Sequence, residues 1–149
     1  MVSGMTDAPP DRPRSAHVRA LSESECYDLL AVAVVGRIGF VAADGVRIIP
    51  VNFRLGPGPR IFLKTSPEGA VAKLAQVAAP VAFEVDHHSG DFGVAWSVLM
   101  NGTLRVLDAE ASAAYAELRM QPDPWPGLTE TVILQFVPKS ISGRGLHRP

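Results

Sequence analysis

The chain is poor in the residues on which several protein classes depend. One cysteine in 149 residues excludes an intramolecular disulfide, and Cys26 lies on an apolar helical stripe where a small buried hydrophobe, not a nucleophile, is expected. Neither charge dominates. With 14 Lys and Arg against 15 Asp and Glu, there is no basic field to draw in a nucleic-acid backbone, so nucleic acid is not an expected partner. Apolar runs such as Leu29 to Val35 stop well short of the roughly 20 residues that a spanning helix needs, and no membrane partner is expected. Pro9, Pro10, Asp11, Arg12 and Pro13 interrupt any secretory apolar core, which makes cytoplasmic residence the default expectation. The strained Gly-x-Ser-x-Gly turn of serine hydrolases is missing, and His17 and His147 sit near the ends, which argues against a catalytic triad.

Apolar residues make up 47% of the chain, enough for one domain that buries about two thirds of its unfolded surface. Residues 1–17 are proline-rich and without period, a flexible leader by composition; residues 18–149 form the expected domain. Leu21-Ser22-Glu23-Ser24-Glu25-Cys26 reads as a capping box with a hydrophobic staple. The helix it starts has Cys26, Leu29, Leu30 and Ala33 on one face and is expected to end near Gly36. The period then changes to two. Ile38 and Phe40 precede an Asp44-Gly45 turn, Val46 to Leu55 returns, Gly56-Pro57-Gly58-Pro59 turns again, and Ile61 to Thr65 is a third strand.

A helix is expected from Ser66, with Ser66 as N-cap, Pro67 in the first position and a stripe of Val71, Leu74, Ala75 and Ala78. Pro80 ends it, and Val81, Phe83 and Val85 alternate with Glu84 and Asp86 along a half-buried strand. Ala95 to Leu107 is the longest strand, bent by a bulge at Asn101-Gly102. Asp108 caps a third helix bearing Ala111, Ala114, Tyr115 and Leu118. Pro122, Pro124 and Pro126 hold an extended loop around Trp125, and Thr131 to Val137 is the last strand. Six strands joined by tight turns, with short helices at the corners, predict a mainly β fold, a six-stranded antiparallel Greek-key barrel.

Chemistry concentrates in few places. Lys64, Thr65 and Ser66 put a cation and two hydroxyls where a strand meets a helix N-terminus, a setting that favours an anion such as phosphate; the plain alternative is a capped helix that binds nothing. Val51, Phe53 and Leu55 share one face of a strand while Asn52 and Arg54 take the other, and Pro50 marks an edge or bulge beside them. A flat ring can lie against such a stretch, which otherwise reads as a plain barrel strand. Trp96 and Ser97 follow a glycine-bearing loop at a pocket mouth, although tryptophans beside loops also serve as core plugs or interface anchors. Asp86, His87, His88 and Asp91 are metal-ligand types, but adjacent histidines on an extended segment point to opposite faces, so no metal is expected. Gly143-Arg144-Gly145 opens no helix and is no dinucleotide fingerprint, yet Arg144 can reach a ligand.

The order of Leu29-Leu30, Val35-Gly36-Arg37-Ile38, Pro50-Val51-Asn52-Phe53, Lys64-Thr65-Ser66-Pro67, Phe83-Glu84-Val85-Asp86, Trp96-Ser97-Val98 and Ser142-Gly143-Arg144 resembles the pyridoxamine 5′-phosphate oxidase-like flavin-binding split barrels, especially their small actinobacterial members. The resemblance runs from about Leu21 to Leu146. It implies a homodimer that holds FMN in clefts shared between two split barrels, with Pro50 to Phe53 along the isoalloxazine ring, Lys64, Thr65 and Ser66 at the phosphate, and Trp96 and Ser97 bordering the pocket. It also implies an oxidoreductase acting on a small organic substrate, with the deazaflavin F420 as the alternative cofactor used by some relatives. The family's usual basic residue falls at Ala70 here, with Glu68 nearby; Lys73 is the replacement if the turn before it is rearranged. The opposing reading is a degenerate split-barrel dimer that kept the fold for a non-catalytic binding or interaction role.

Overall fold

The computed structural model describes residues 17–90, 93–117 and 130–147. In chain order the elements are β1 (His17–Leu21), α1 (Glu23–Val32), β2 (Val35–Ala42), β3 (Gly45–Gly56), β4 (Arg60–Thr65), α2 (Ala70–Gln76), β5 (Pro80–Ser89), β6 (Val94–Val106), α3 (Ala109–Ala116) and β7 (Val132–His147). The two short connections occur where the turn residues predict them: β2 and β3 join through Ala43 and Asp44 into Gly45, whose φ of +133° suits glycine, and β3 and β4 join through the Pro57-Gly58-Pro59 turn. Neighbours run β4, β3, β2, β5, β6, and β7 pairs with both β4 and β6, so six antiparallel strands close a ring. The expected six-stranded barrel is that ring. A seventh strand lies outside it, because β1 pairs with the far end of β7. His17, expected in the leader, is instead the first residue of this strand; residues 1–16 lie outside the described residues.

Alternation along each strand fills the ring. Ile38, Val51, Phe53, Ile61, Leu63, Phe83, Val85, Val98, Met100, Leu104, Leu134 and Phe136 are all buried in one core. Phe53 meets Phe83 edge to face at 5.1 Å between centroids, and Phe83 lies 5.4 Å from Phe136, a geometry that aromatic quadrupoles favour. Cys26 and Leu30 of α1 and Val71 and Ala75 of α2 pack into the same core. A second, smaller cluster forms where Ala111 and Ala114 of α3 cover Phe62 on the outside of β4.

Two helix starts obey local capping rules. Ser22 Oγ accepts from the Glu25 amide at 3.2 Å while Glu25 Oε2 accepts from the Ser22 amide at 2.8 Å, the predicted capping box. Asp108 Oδ1 accepts from the Ala111 amide at 2.7 Å, as expected of its cap. The third start differs. Ser66 is not an N-cap: Ser66-Pro67-Glu68-Gly69 is a turn closed by the Gly69 amide on the Ser66 carbonyl at 3.1 Å, and α2 begins only at Ala70 with Gly69 as its cap. Serine first, proline second and glycine fourth is also the preferred composition of a β-turn, and here the turn wins over the cap. Ala78, expected on the helical stripe, lies past the end of α2 at φ 47°, where the Ala79 amide bonds the Leu74 carbonyl at 3.1 Å in the Schellman pattern.

Gly36 does not end α1, which stops at Val32. It lies within β2, where a Cβ would come within 2.5 Å of the Phe83 ring, so glycine lets the strand pass over that ring. The bulge between β6 and β7 falls at Asn101/Gly102 as predicted, but the unpaired residue is Lys139, on the facing strand. Gly102 is nonetheless needed there, because a Cβ would collide with the Val137 carbonyl. The last strand runs ten residues beyond its expected end at Val137, to His147. Trp125, its flanking prolines, Leu118 and Asp91 lie outside the described residues.

Candidate functional site

The β3–β4 ladder pairs Phe53 with Leu63 and goes no further, so the two strands part where Pro50, Val51 and Asn52 face the region of Lys64, Thr65 and Ser66. This parting brings the first two groups of predicted site residues to one place. The Phe53 amide bonds the Val34 carbonyl at 3.0 Å, and antiparallel pairs alternate. Odd residues of β3 therefore turn their amides toward β2 and even ones turn away. Pro50 is even, so its missing N–H faces the parted edge and costs no ladder bond.

Val51 and Phe53 are core residues at 3% and 0% exposure. The apolar face that they form is the barrel interior, so a ring lying on this stretch meets its backbone and the exposed Pro50, not those two side chains. Lys64, Thr65 and Ser66 are half-buried. Lys73 is exposed on α2, whose opposite face buries Val71, Ala72 and Ala75. α2 has only seven residues and a turn in front of it, so the polar groups at this end are the side chains of Lys64, Thr65 and Ser66 rather than a long helix start.

Trp96 and Ser97 lie elsewhere in the chain's fold. Thr65 pairs with Val132 at the beginning of β7, whereas Trp96 pairs with Gly145 near its end, about 40 Å apart were the strand straight. Trp96 packs partly on the core, and its indole stacks on His87 with centroids 6.1 Å apart. Three hollows include Trp96 in their lining. One of about 560 Å³ is lined by Val32, Ala33, Val34, Val35, His87 and Val94 among others; another of about 300 Å³ includes Ser97, His88, Arg144, Leu146 and Val18. Arg144, which the sequence offered only as a possible contact, thus shares a cavity with Trp96 and Ser97. Among the described residues no three His, Cys, Asp or Glu side chains converge as metal ligands.

The strands between these two regions carry a charge cluster. Arg37 Nη1 donates to Glu84 Oε2 at 2.8 Å and to Asp86 Oδ1 at 2.7 Å, and the Asp86 and Glu84 hydrogen bonds push the guanidinium above its ordinary pKa. Sequence inspection missed this cluster; its signal was the alternation that sets Arg37, Glu84 and Asp86 outward on adjacent strands. Farther along the same outer surface, Val41, Val46 and Ile48 border a groove of about 500 Å³ and are 79%, 76% and 67% exposed.

A closed antiparallel ring with parted strands, helices packed into its core and an uncovered outer face defines a split barrel. Residues 22–145 match the family described as pyridoxamine 5′-phosphate oxidase, and the chain belongs to that family. It is similar to a provisionally named pyridoxamine 5′-phosphate oxidase from Corynebacterium glutamicum, at 29% identity over 91% of this chain and 94% of that one, with a TM-score of 0.66. It is also similar to an FAD-binding protein from Mycobacterium smegmatis, at 25% identity over 88% of this chain and all of that one, TM-score 0.66. An FAD- and heme-binding protein from the same organism shares the fold at 21% identity, with 82% of this chain and 70% of that chain covered and a TM-score of 0.60. No curated protein matches the chain. Among the described residues no helix is long and apolar enough to cross a membrane.

Proposed function

We propose that the protein is a homodimeric, cytoplasmic flavin-dependent oxidoreductase acting on a small organic substrate, with FMN in a cleft between two protomers. The observation that carries the reading is the parting of β3 from β4 beside Lys64, Thr65 and Ser66. A cation and two hydroxyls there match the donors that a phosphate needs, and the adjacent backbone of Pro50 to Phe53 gives a flat ring a surface to lie on. Trp96 and Ser97 stand at the far end of β7, so a second protomer is the simplest way to bring them to the same ligand. The exposed Val41, Val46, Ile48 and Leu99 supply an apolar face suited to that second copy. When bound, the flavin supplies hydride transfer at N5. The chain's own part is to hold the phosphate through Lys64, Thr65 and Ser66, orient the ring along β3, and wall the pocket from water with Trp96.

The protein purified under mild conditions is expected to show flavin absorbance or to acquire it with added FMN; FAD, as in the Mycobacterium smegmatis relative, and F420 are the comparison ligands. Lys64→Ala with Thr65→Ala is expected to weaken binding at least tenfold. No binding of any of the three at high micromolar protein sinks the reading. Ile48→Asp is expected to give monomers and to lose flavin with them. A non-catalytic dimer is the second reading, favoured by Ala70, where the family usually has a base, and by the exposed Glu68 on the turn. Steady oxidation of a reduced nicotinamide by the purified protein eliminates it. Ala70→Lys separates the two accounts of the phosphate: a large gain in affinity means that a base was missing, and little gain means that Lys73 already serves.

A further inference from the structure

We propose that the hollow beside Arg144 binds a small organic carboxylate with an apolar or aromatic body. Register places Asp86, Ser97 and Arg144 side by side across β5, β6 and β7, with their side chains on one face. Asp86 is already engaged by Arg37 at 2.7 Å. Arg19, Arg37, Arg47, Arg60 and Arg105 all pair with carboxylates, and Arg54 donates to the Phe53 carbonyl. Arg144 alone among the described arginines makes no such contact within the described residues. An exposed guanidinium without a partner is a fork for a planar carboxylate.

The rest of the lining sets the class of ligand. Val18, Ala95 and Leu146 give apolar walls on the face that carries Arg144, Ser97 adds one hydroxyl, and Asp86, His87, His88, Trp96 and Gly145 complete the lining. The hollow measures about 300 Å³, at the lower end of ligand cavities, so it suits a single ring better than a tricyclic cofactor. Its service as a substrate site rests on the flavin reading; the binding itself does not require flavin.

The test uses flavin-free full-length protein and follows binding by isothermal titration calorimetry. Benzoate is expected to bind saturably at one site, while the uncharged benzamide and the small acetate are each expected to bind at least tenfold more weakly. Arg144→Gln is expected to abolish the benzoate response, and Arg144→Lys to keep part of it, with thermal midpoints like the parent's. Equal response to benzamide, equal response to acetate, or an unchanged response in Arg144→Gln overturns the proposal. Flavin absorbance titrated on the same preparation reports separately, so a protein that binds benzoate without flavin, or flavin without benzoate, assigns the failure to one reading alone.

Discussion

The two halves of β7 are one continuous strand built on opposite plans. Along its first half, Leu134 and Phe136 point into the barrel core at 1% and 0% exposure, while Ile133 packs under α3 and Gln135 is buried against Arg105, whose Nη2 donates to it at 3.0 Å. Both faces are filled. Along the second half, Gly143 and Gly145 lie against Leu21 and Cys26, while Ser142 and Arg144 face outward. The filled half holds the ring closed between β4 and β6. The glycine half lets α1 and β1 approach closely on one side, which leaves the other side free to present a row of polar groups. Packing and ligand access are thus divided along a single strand.

The sharpest way to expose that division is to remove core volume from the first half. Phe136→Ala deletes a fully buried ring in contact with Phe83 and is expected to cost about 3–5 kcal/mol, read by denaturant unfolding. Arg144→Gln in the second half is expected to stay within about 0.5 kcal/mol of the parent. If the two cost the same, the halves are not built differently.

The next largest effect tests why the second half is glycine. A Cβ at Gly143 would stand 2.5 Å from Cys26 Sγ and 3.0 Å from Leu21 Cδ1, so Gly143→Ala is expected to destabilise by about 1–3 kcal/mol through overpacking. Cys26→Ala removes the nearest atom, and the double variant is expected to recover part of that loss. Strict additivity of the two changes would mean that contact with Cys26 is not the cause.

This division also explains what the sequence made legible. Local rules are legible: the Ser22–Glu25 capping box, the Asp108 cap and the glycine turns each depend on residues within a few positions. Strands with one apolar face were visible for the same reason. The second half of β7 and all of β1 were not, because Ser140 to Gly145 carries a single large apolar side chain, Ile141, and β1 is only five residues long; their pairing is set by partners far away in the chain. Ser66 failed differently, since one tetrapeptide satisfies two local rules. Thr65 and Trp96 both stand out as candidates in the sequence, but only the register of β7 reveals that they lie far apart within one chain.

The smallest expected effects lie in the contacts that hold β1 and α1 over the glycine half. Ser22→Ala removes the cap at the start of α1 and is expected to cost about 1 kcal/mol. Glu25, its capping-box partner, accepts from Arg19 of β1 at 2.7 Å and from the Ser22 amide. Those bonds, Arg19's first, hold its carboxyl down to about 2 from an ordinary 4.5. A carboxyl with a lowered folded pKa binds its proton more readily in the unfolded chain, so its stabilising contribution is complete above the ordinary value and is lost as pH falls from about 4.5 toward 2. Contact of both partners with solvent keeps this contribution small and salt-sensitive. Glu25→Gln is therefore expected to flatten the fall in thermal midpoint across that window while leaving Phe136→Ala equally damaging at every pH. A midpoint profile in Glu25→Gln that still tracks the parent's across the same window would place the titrating contact elsewhere and remove the tie between α1 and β1 from the account of the second half.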